Sequence, residues 1–379
     1  MNYKYVATCL FGLEKLVGEQ IDALGGKRLE TIDGRIIFEG DETLLARASV
    51  NFRYAERIFI LVGDFHASSF TELFDGTAAL PWEAFIGEND AFPVSGHAIK
   101  STLFSIPDCQ SIVKKAVVKR LSEKYHRAWF DESGAMYKLE FFLLKDRAML
   151  MIDTTGTALH KRGYRPHAGE APLRETLAAA VAAIARPRED VLLWDPLCGS
   201  GTIVIEAAML MTGRAPGVNR NFAAEAFAAF PEKHWKLARE EAADMVKRGS
   251  AFEAWGSDID ASVLEIAKES ARRAGVGDRL SFFTADAAKL ERPDRRGTLV
   301  CNPPYGERLM TLTEAEALYK RLGEAFRAAA PWQVYVLTPC ENFERLYGKR
   351  ADKIKKLYNG MIPCRLYQFF KNERTSRDR

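Results

Sequence analysis

The sequence predicts a chain in two parts, an α+β front half and an α/β back half built on a mostly parallel sheet. From Val191 onward, strand-like and helix-like stretches alternate one for one. That is the pattern of a parallel sheet with helices on both faces. Near the end, two strand-like stretches flank Asn359-Gly360, a hairpin signal that adds an antiparallel pair. Between residues 155 and 170 mixed strands give way to an Ala-rich helix, which places the main boundary there.

In order, Tyr3–Leu10 reads as a strand and Leu13–Leu24 as a helix with Leu13, Leu16, Val17, Ile21 and Leu24 on one face. Gly25-Gly26 stops it. Strand-like runs at Arg28–Ile32 and Gly34–Glu39 meet at Asp33-Gly34, Asp41 caps a helix to Val50, and Arg57–Phe65 is a strand. Phe92–Ala98 reads as an edge strand. The predicted helix Asp108–Tyr125 turns Ile112, Val113, Ala116, Val117 and Leu121 inward. Its other face carries Lys114, Lys115, Lys119, Arg120 and Lys124 with Glu123 the lone acid, a face that either attracts phosphates or meets water. Tyr137–Leu144 and Arg147–Asp153 form a hairpin around Lys145-Asp146.

A polar, basic connector follows from Thr154 to Gly169, with Lys161, Arg162 and Arg165. In the back half Val191–Trp194, the stretch closing at Trp255–Asp258, Leu280–Thr284, Leu299–Cys301 and Gln333–Leu337 are predicted strands. Arg174–Ala185, Thr202–Met211, Ala261–Ala274 and Ala315–Ala329 are predicted helices. The insertion Thr212–Ala254, with Phe222, Phe227, Phe230 and Trp235, is long for one crossover. It either packs over its neighbours or walls the substrate site.

Composition narrows the class. A chain of 379 residues holds two or three domains, and a formal charge of +3 is too small to prove a nucleic-acid partner. The six cysteines are dispersed with no CxxC or Cys/His cluster, which argues against a metal site or a disulfide framework. No apolar run reaches membrane-spanning length and the first residues carry no leader signature. A reduced cytoplasmic protein is the expectation.

Chemistry concentrates at the ends of the predicted parallel strands. Asp195-Pro196-Leu197-Cys198-Gly199-Ser200-Gly201-Thr202 joins a strand to a helix, with glycines that let backbone pass close to a ligand. Val204 stands where a dinucleotide fingerprint has its third glycine, and no Gly-Lys-Ser/Thr makes it a phosphate loop. An acidic residue ahead of the glycines suits a cationic ligand such as a sulfonium amino acid. Asp258, at the second strand end, is placed to take ribose hydroxyls, and Asp286, after the third, to reach an adenine edge. Any one of these aspartates reads more readily as a turn or helix cap; the series at successive strand ends, with Asn302 at the fourth, is much harder to dismiss that way.

After the fourth strand comes Asn302-Pro303-Pro304-Tyr305-Gly306. The prolines force the chain out of the strand into a stiff turn, leaving Asn302 at the strand end. Its carboxamide oxygen and a turn carbonyl are two acceptors for one NH2 group, and Tyr305 is a ring on which a flat heterocycle can stack.

With these residues the back half resembles a Rossmann-like S-adenosylmethionine-dependent amino-methyltransferase, through Asp195-Pro-Leu-Cys-Gly-Ser-Gly and Asn302-Pro-Pro-Tyr. The front half is similar to a ferredoxin-like plus THUMP RNA-binding module, through Gln110–Leu121, Ile152-Asp153-Thr154-Thr155-Gly156 and Leu159–Arg165. Together they resemble the THUMP-containing guanine-N2 methyltransferases of 23S ribosomal RNA, a group often labelled N6-adenine DNA methylases by motif. The resemblance implies a ferredoxin-like subdomain over 1–65, a THUMP domain over 66–160 and a methyltransferase domain over 161–379. It implies cofactor contacts from Asp195, Pro196, Cys198, Gly199, Ser200, Gly201, Asp258, Ile259, Asp286, Ala287 and Asn302, and catalysis by Asn302, Pro303 and Tyr305. RNA contacts fall to Lys114, Lys115, Lys119, Arg120, Lys161, Arg162 and Arg165. The implied partner is structured RNA, with ribosomal RNA favoured and transfer RNA open, and no membrane or metal is expected. The alternatives are a transfer RNA guanine-N2 enzyme, an adenine-N6 enzyme, a glutamine-side-chain enzyme and a non-catalytic RNA-binding scaffold.

Overall fold

Fourteen strands among the described residues form two seven-stranded sheets. The computed structural model describes residues 2–165, 173–305 and 311–370. The chain folds as two units, the first holding 2–9, 17–159 and 220–241, the second the described parts of 10–16, 160–219 and 242–370.

The first unit's sheet runs β2-β3-β1-β4-β7-β6-β5. Its strands are β1 (Tyr3–Cys9), β2 (Lys27–Ile32), β3 (Arg35–Gly40), β4 (Ala55–His66), β5 (Val94–Ile99), β6 (Leu139–Leu144) and β7 (Arg147–Asp153). Antiparallel pairing of β4 with β7 makes one continuous sheet of the whole front half. β5 lies at the edge, as the Pro93-bearing stretch predicts, and pairs parallel to β6. Helices are α1 (Glu14–Ala23), α2 (Glu42–Asn51), α3 (Phe70–Ala78) and α4 (Ile106–Tyr125). Asp41 caps α2 by accepting from the Leu44 amide at 2.7 Å. Helix α4 starts two residues before the predicted Asp108, with Pro107 in its first turn, and buries Val113, Ala116, Val117 and Leu121.

The second unit carries β8 (Leu192–Asp195), β9 (Ala254–Asp258), β10 (Leu280–Thr284), β11 (Gly297–Cys301), β12 (Gln333–Thr338), β13 (Lys353–Asn359) and β14 (Ile362–Phe369). The order is β10-β9-β8-β11-β12-β14-β13, parallel through β12 and antiparallel at β14 and β13. Its helices are α5 (Glu175–Ile184), α6 (Thr202–Met211), α8 (Ala261–Arg273), α9 (Leu312–Ala328) and α10 (Phe343–Tyr347), the last a short helix that sequence reasoning missed. Leu192, Trp194, Leu299 and Val336 pack with Tyr319, Phe326, Phe343 and Tyr347 of α9 and α10. Leu193 and Val300, of opposite parity, are buried too, so both faces are covered.

The long insertion divides. Residues 220–241, including most of α7 (Glu232–Asp244), cluster with the first unit. Phe227 stacks on Tyr137 with centroids 4.0 Å apart, Phe230 meets Tyr3 at 5.3 Å, and Arg47 donates to Glu241 at 2.6 Å. Packing over neighbours is therefore what this stretch does, and those neighbours belong to the front half.

Candidate active site

The strand order reverses direction between β8 and β11, and in open parallel sheets ligands bind in the crevice at such a point. Asp195 ends β8 and Asn302 directly follows β11. Leu299 pairs with Trp194, so continuing that register sets Val300 level with Asp195 and Asn302 two residues further out.

Asp195 is buried, and its Oδ1 accepts from the Leu197 amide at 3.1 Å. Burial pushes its carboxyl well above the usual carboxylate range; the Leu197 amide opposes this and the nearby Asp258 charge adds to it. The loop after it runs through Gly199 and Gly201, both left-handed, with φ of 50° and 76°. A Cβ at Gly201 would lie 3.0 Å from the Phe282 ring, whereas one at Gly199 would meet nothing within 4 Å. At Gly201 a left-handed backbone and tight contact with β10 together disfavour a side chain, and Gly199 leaves an open cradle. Cys198 is buried, and burial pushes its thiol and that of Cys301 far up, so neither is a thiolate nucleophile.

Asp258 ties the second strand end to this loop. Its Oδ2 accepts from the Gly199 amide at 2.9 Å and its Oδ1 from the Asp260 amide at 3.1 Å. Ile259 beside it is 71% exposed, an apolar face at a strand end with no cover. Asp286 Oδ1 accepts from the Ala288 amide at 2.9 Å, and its Oδ2 pairs with Arg321 at 3.1 Å. A cavity of about 250 Å³ opens there, lined by Trp194, Ser257, Phe283, Asp286, Ala287 and Leu290.

Among the described residues, Asn302 Oδ1 is buried with no hydrogen-bond partner. An unsatisfied buried acceptor costs about 1–3 kcal/mol, and at a strand end beside the glycine loop it is available to a donor from a ligand. The proline turn beneath it is braced. Tyr319 of α9 donates to the Pro304 carbonyl at 3.2 Å and lies 3.1 Å from Thr338 Oγ1 on β12. Tyr305 is half-buried, and Asn359 Nδ2 donates to its phenolic oxygen at 2.8 Å. Burial pushes the phenol up to about 12. Gly306, the last residue of the sequence motif, lies outside the described residues.

Two residues expected to touch RNA are placed otherwise. The Arg162 side chain is 2% exposed, 3.5 Å from Glu206, which also accepts from the Tyr164 hydroxyl at 3.1 Å. Arg165 donates to the Leu173 carbonyl at 2.7 Å and to Thr202, and pairs with Glu175 at 3.5 Å. Both serve the second unit's interior, because a guanidinium this buried must be met by carboxylates and carbonyls. On α4, Arg120 forks onto Glu83 and Lys114 pairs with Glu132, while Lys115 and Lys119 stay exposed. Lys161 is exposed as well.

With this geometry in hand, residues 162–368 match the RMKL-like methyltransferase domain family. The chain belongs to that family. In this methyltransferase, residues 67–153 match the THUMP domain and residues 4–59 the RlmL ferredoxin-like domain. It is 43% identical to a Bacillus subtilis (strain 168) protein provisionally named RNA methyltransferase YpsC, over 99% of this chain and 98% of that one. It resembles the crystal structure of a predicted N6-adenine-specific DNA methylase from Listeria monocytogenes str. 4b F2365, with 45% identity and a TM-score of 0.92 over 98% of this chain and 97% of that one. It also resembles SMU.472, a provisionally assigned methyltransferase crystallised with S-adenosylhomocysteine, with 38% identity and a TM-score of 0.91 over 98% of each chain.

Proposed function

We propose that this methyltransferase methylates the exocyclic amine of a nucleobase in structured RNA, with guanine N2 of 23S ribosomal RNA as its target. The observation that carries the reading is Asn302 Oδ1, buried and without a partner among the described residues, at the end of the strand next to the Asp195 loop's strand. The THUMP match and the relative named for RNA support RNA as the polymer. The match to the RlmL ferredoxin-like domain supports the ribosomal target. The domain plan we propose divides the chain at 1–65, 66–160 and 161–379, with residues 10–16 and 220–241 exchanged between the two units in which the chain clusters.

S-adenosylmethionine, the cofactor, would supply a methyl group whose carbon–sulfur bond breaks as the carbon–nitrogen bond forms, with neutral S-adenosylhomocysteine leaving and the extra amine proton passing to water. The residues fit it: the Gly199 cradle is open, Asp195 is an acid beside it, and Ile259 offers a bare apolar face. Asp195, Pro196, Cys198, Gly199, Ser200 and Gly201 hold the methionine end. Asp258 takes the ribose, while Ile259, Asp286 and Ala287 border the adenine. Asn302 Oδ1 and the Pro303 carbonyl accept hydrogen bonds from the target NH2, aiming the nitrogen lone pair and favouring the positive charge that develops there. Tyr305 stacks on the extruded base. Alignment and electrostatics carry the rate. Lys115 and Lys119, exposed on α4, meet phosphate, with exposed Lys161 beside the methyltransferase domain and Lys114 and Arg120 partly spent on their glutamates.

The name of the Listeria structure favours adenine N6 in DNA as the second reading. Nucleoside mass spectrometry of fractionated RNA and DNA from cells lacking the protein separates the two. Loss of N2-methylguanosine from 23S ribosomal RNA is the expected result. Loss confined to transfer RNA moves the target, and loss of N6-methyladenine from DNA overturns the reading.

A further inference from the structure

We propose that the outer face of the β13–β14 hairpin, with Phe11, docks the unpaired nucleotides flanking the target base. The inference rests on the RNA reading above and adds a surface to it. Asn359 marks the hairpin's inner face, because its side chain reaches Tyr305 and Leu357, of the same parity, is fully buried. Alternate residues Lys356 and Tyr358 therefore point outward. Tyr358 pairs across the ladder with exposed Pro363. Phe11, half exposed, sets its ring edge-on to Tyr358 at 5.5 Å and 72°. Its neighbour Gly12 allows that approach, since a Cβ there would sit 2.7 Å from the Lys356 carbonyl. Met361 at the tip is 94% exposed and Ile362 is exposed beside it.

Rings, a thioether and a cation thus lie together on an exposed ribbon whose other face touches the proposed catalytic tyrosine. Aromatic faces hold unpaired bases without sequence preference and lysines hold the intervening phosphates, so a single strand leading to an extruded base fits this surface. A second protein chain fits it poorly. β13 is the edge strand, and the exposed Lys353 and Lys356 along it discourage strand addition.

The test uses the full chain, tritiated S-adenosylmethionine and total RNA from cells lacking the protein. Phe11→Ser and Met361→Ser should each raise KM for RNA about tenfold, with kcat and S-adenosylhomocysteine affinity unchanged. Lys356→Gln should lower the slope of log affinity against log salt by about one. Wild-type KM in both Phe11→Ser and Met361→Ser overturns the docking surface and leaves RNA methylation standing. Absence of transfer to RNA by the wild type overturns both. A wild type that sediments as a dimer and a Met361→Ser variant that sediments as a monomer overturns the surface in favour of a second copy.

Discussion

Asn359 donates through Nδ2 to the phenolic oxygen of Tyr305 at 2.8 Å, across 54 residues of sequence. The bond exists because the hairpin turns one residue later than Asn359-Gly360 suggests. Asn359 pairs with Ile362 as the last rung of the ladder, and Gly360, with φ of 64°, turns with Met361. As a rung, Asn359 keeps a strand side chain aimed at the active site.

Tyr305 is therefore a ring held at its far end. Tyr305→Ala should weaken engagement of the target base by roughly 1–3 kcal/mol. A ring that only stacks would let Tyr305→Phe keep most activity; because the hydroxyl is held by Asn359, about a two- to tenfold fall in kcat/KM is expected. Asn359→Ala should match it, and the double variant should add nothing further. Steady-state kinetics check this, and a fully active Tyr305→Phe shows the bond to be dispensable.

Asn302→Ala removes the unpartnered acceptor and leaves the glycine loop in place. A fall of about 10²–10³ in kcat is expected, with S-adenosylhomocysteine affinity nearly unchanged. Single-turnover rates and calorimetry read the two separately. Near-normal turnover would remove Asn302 from the active site.

Asp258→Ala loses both the carboxylate offered to ribose and the anchor of the Gly199 amide. Calorimetry should show S-adenosylhomocysteine binding weakened at least tenfold, about 1.4 kcal/mol. Wild-type binding of NAD in place of S-adenosylhomocysteine would overturn the cofactor assignment.

The buried Asp195 makes a prediction with a sign. Its folded-state carboxyl is raised, so the fold binds more protons than the unfolded chain between the two pKa values. The stability it contributes is present below the ordinary carboxylate pKa and lost as pH rises through the raised one. Asp195→Asn does not titrate there. Without cofactor it should melt higher than wild type by a margin that grows with pH and then levels, while binding cofactor less tightly. A margin independent of pH in scanning calorimetry contradicts the raised carboxyl.

Reversing charge at Lys115 and Lys119 should weaken RNA binding and flatten its salt dependence, with cofactor binding untouched. Arg162→Glu should instead lower the melting temperature, because it sets two carboxylates together in a buried site. Fluorescence titrations at several salt concentrations and thermal melts distinguish these outcomes.

Residues whose roles come from local sequence were legible. The glycine loop, the aspartates at strand ends and Asn302-Pro-Pro-Tyr announce their positions because strand termini and proline turns are set by neighbours in the chain. Arg162 and Arg165 misled because a basic connector reads as surface when the carboxylates that draw it inward, Glu206 and Glu175, belong to helices beyond the connector. Asn359 and Tyr319 were silent because their work on the proline turn depends on tertiary pairing. An Asn before a Gly reads only as a turn, and a Tyr in a helix only as core.

The segment exchange between the units bears on how such an enzyme can be divided. A fragment that begins after residue 165 lacks residues 10–16 of its own unit. It also carries Phe227 and Phe230 away from Tyr137 and Tyr3, the rings they meet. Such a piece is an amputation rather than a module, and its silence on RNA would say nothing about which half reads the substrate. Swapping the front half between relatives would succeed only if residues 220–241 travelled with it, so these two stretches are expected to be inherited as one heirloom despite the sixty residues that separate them.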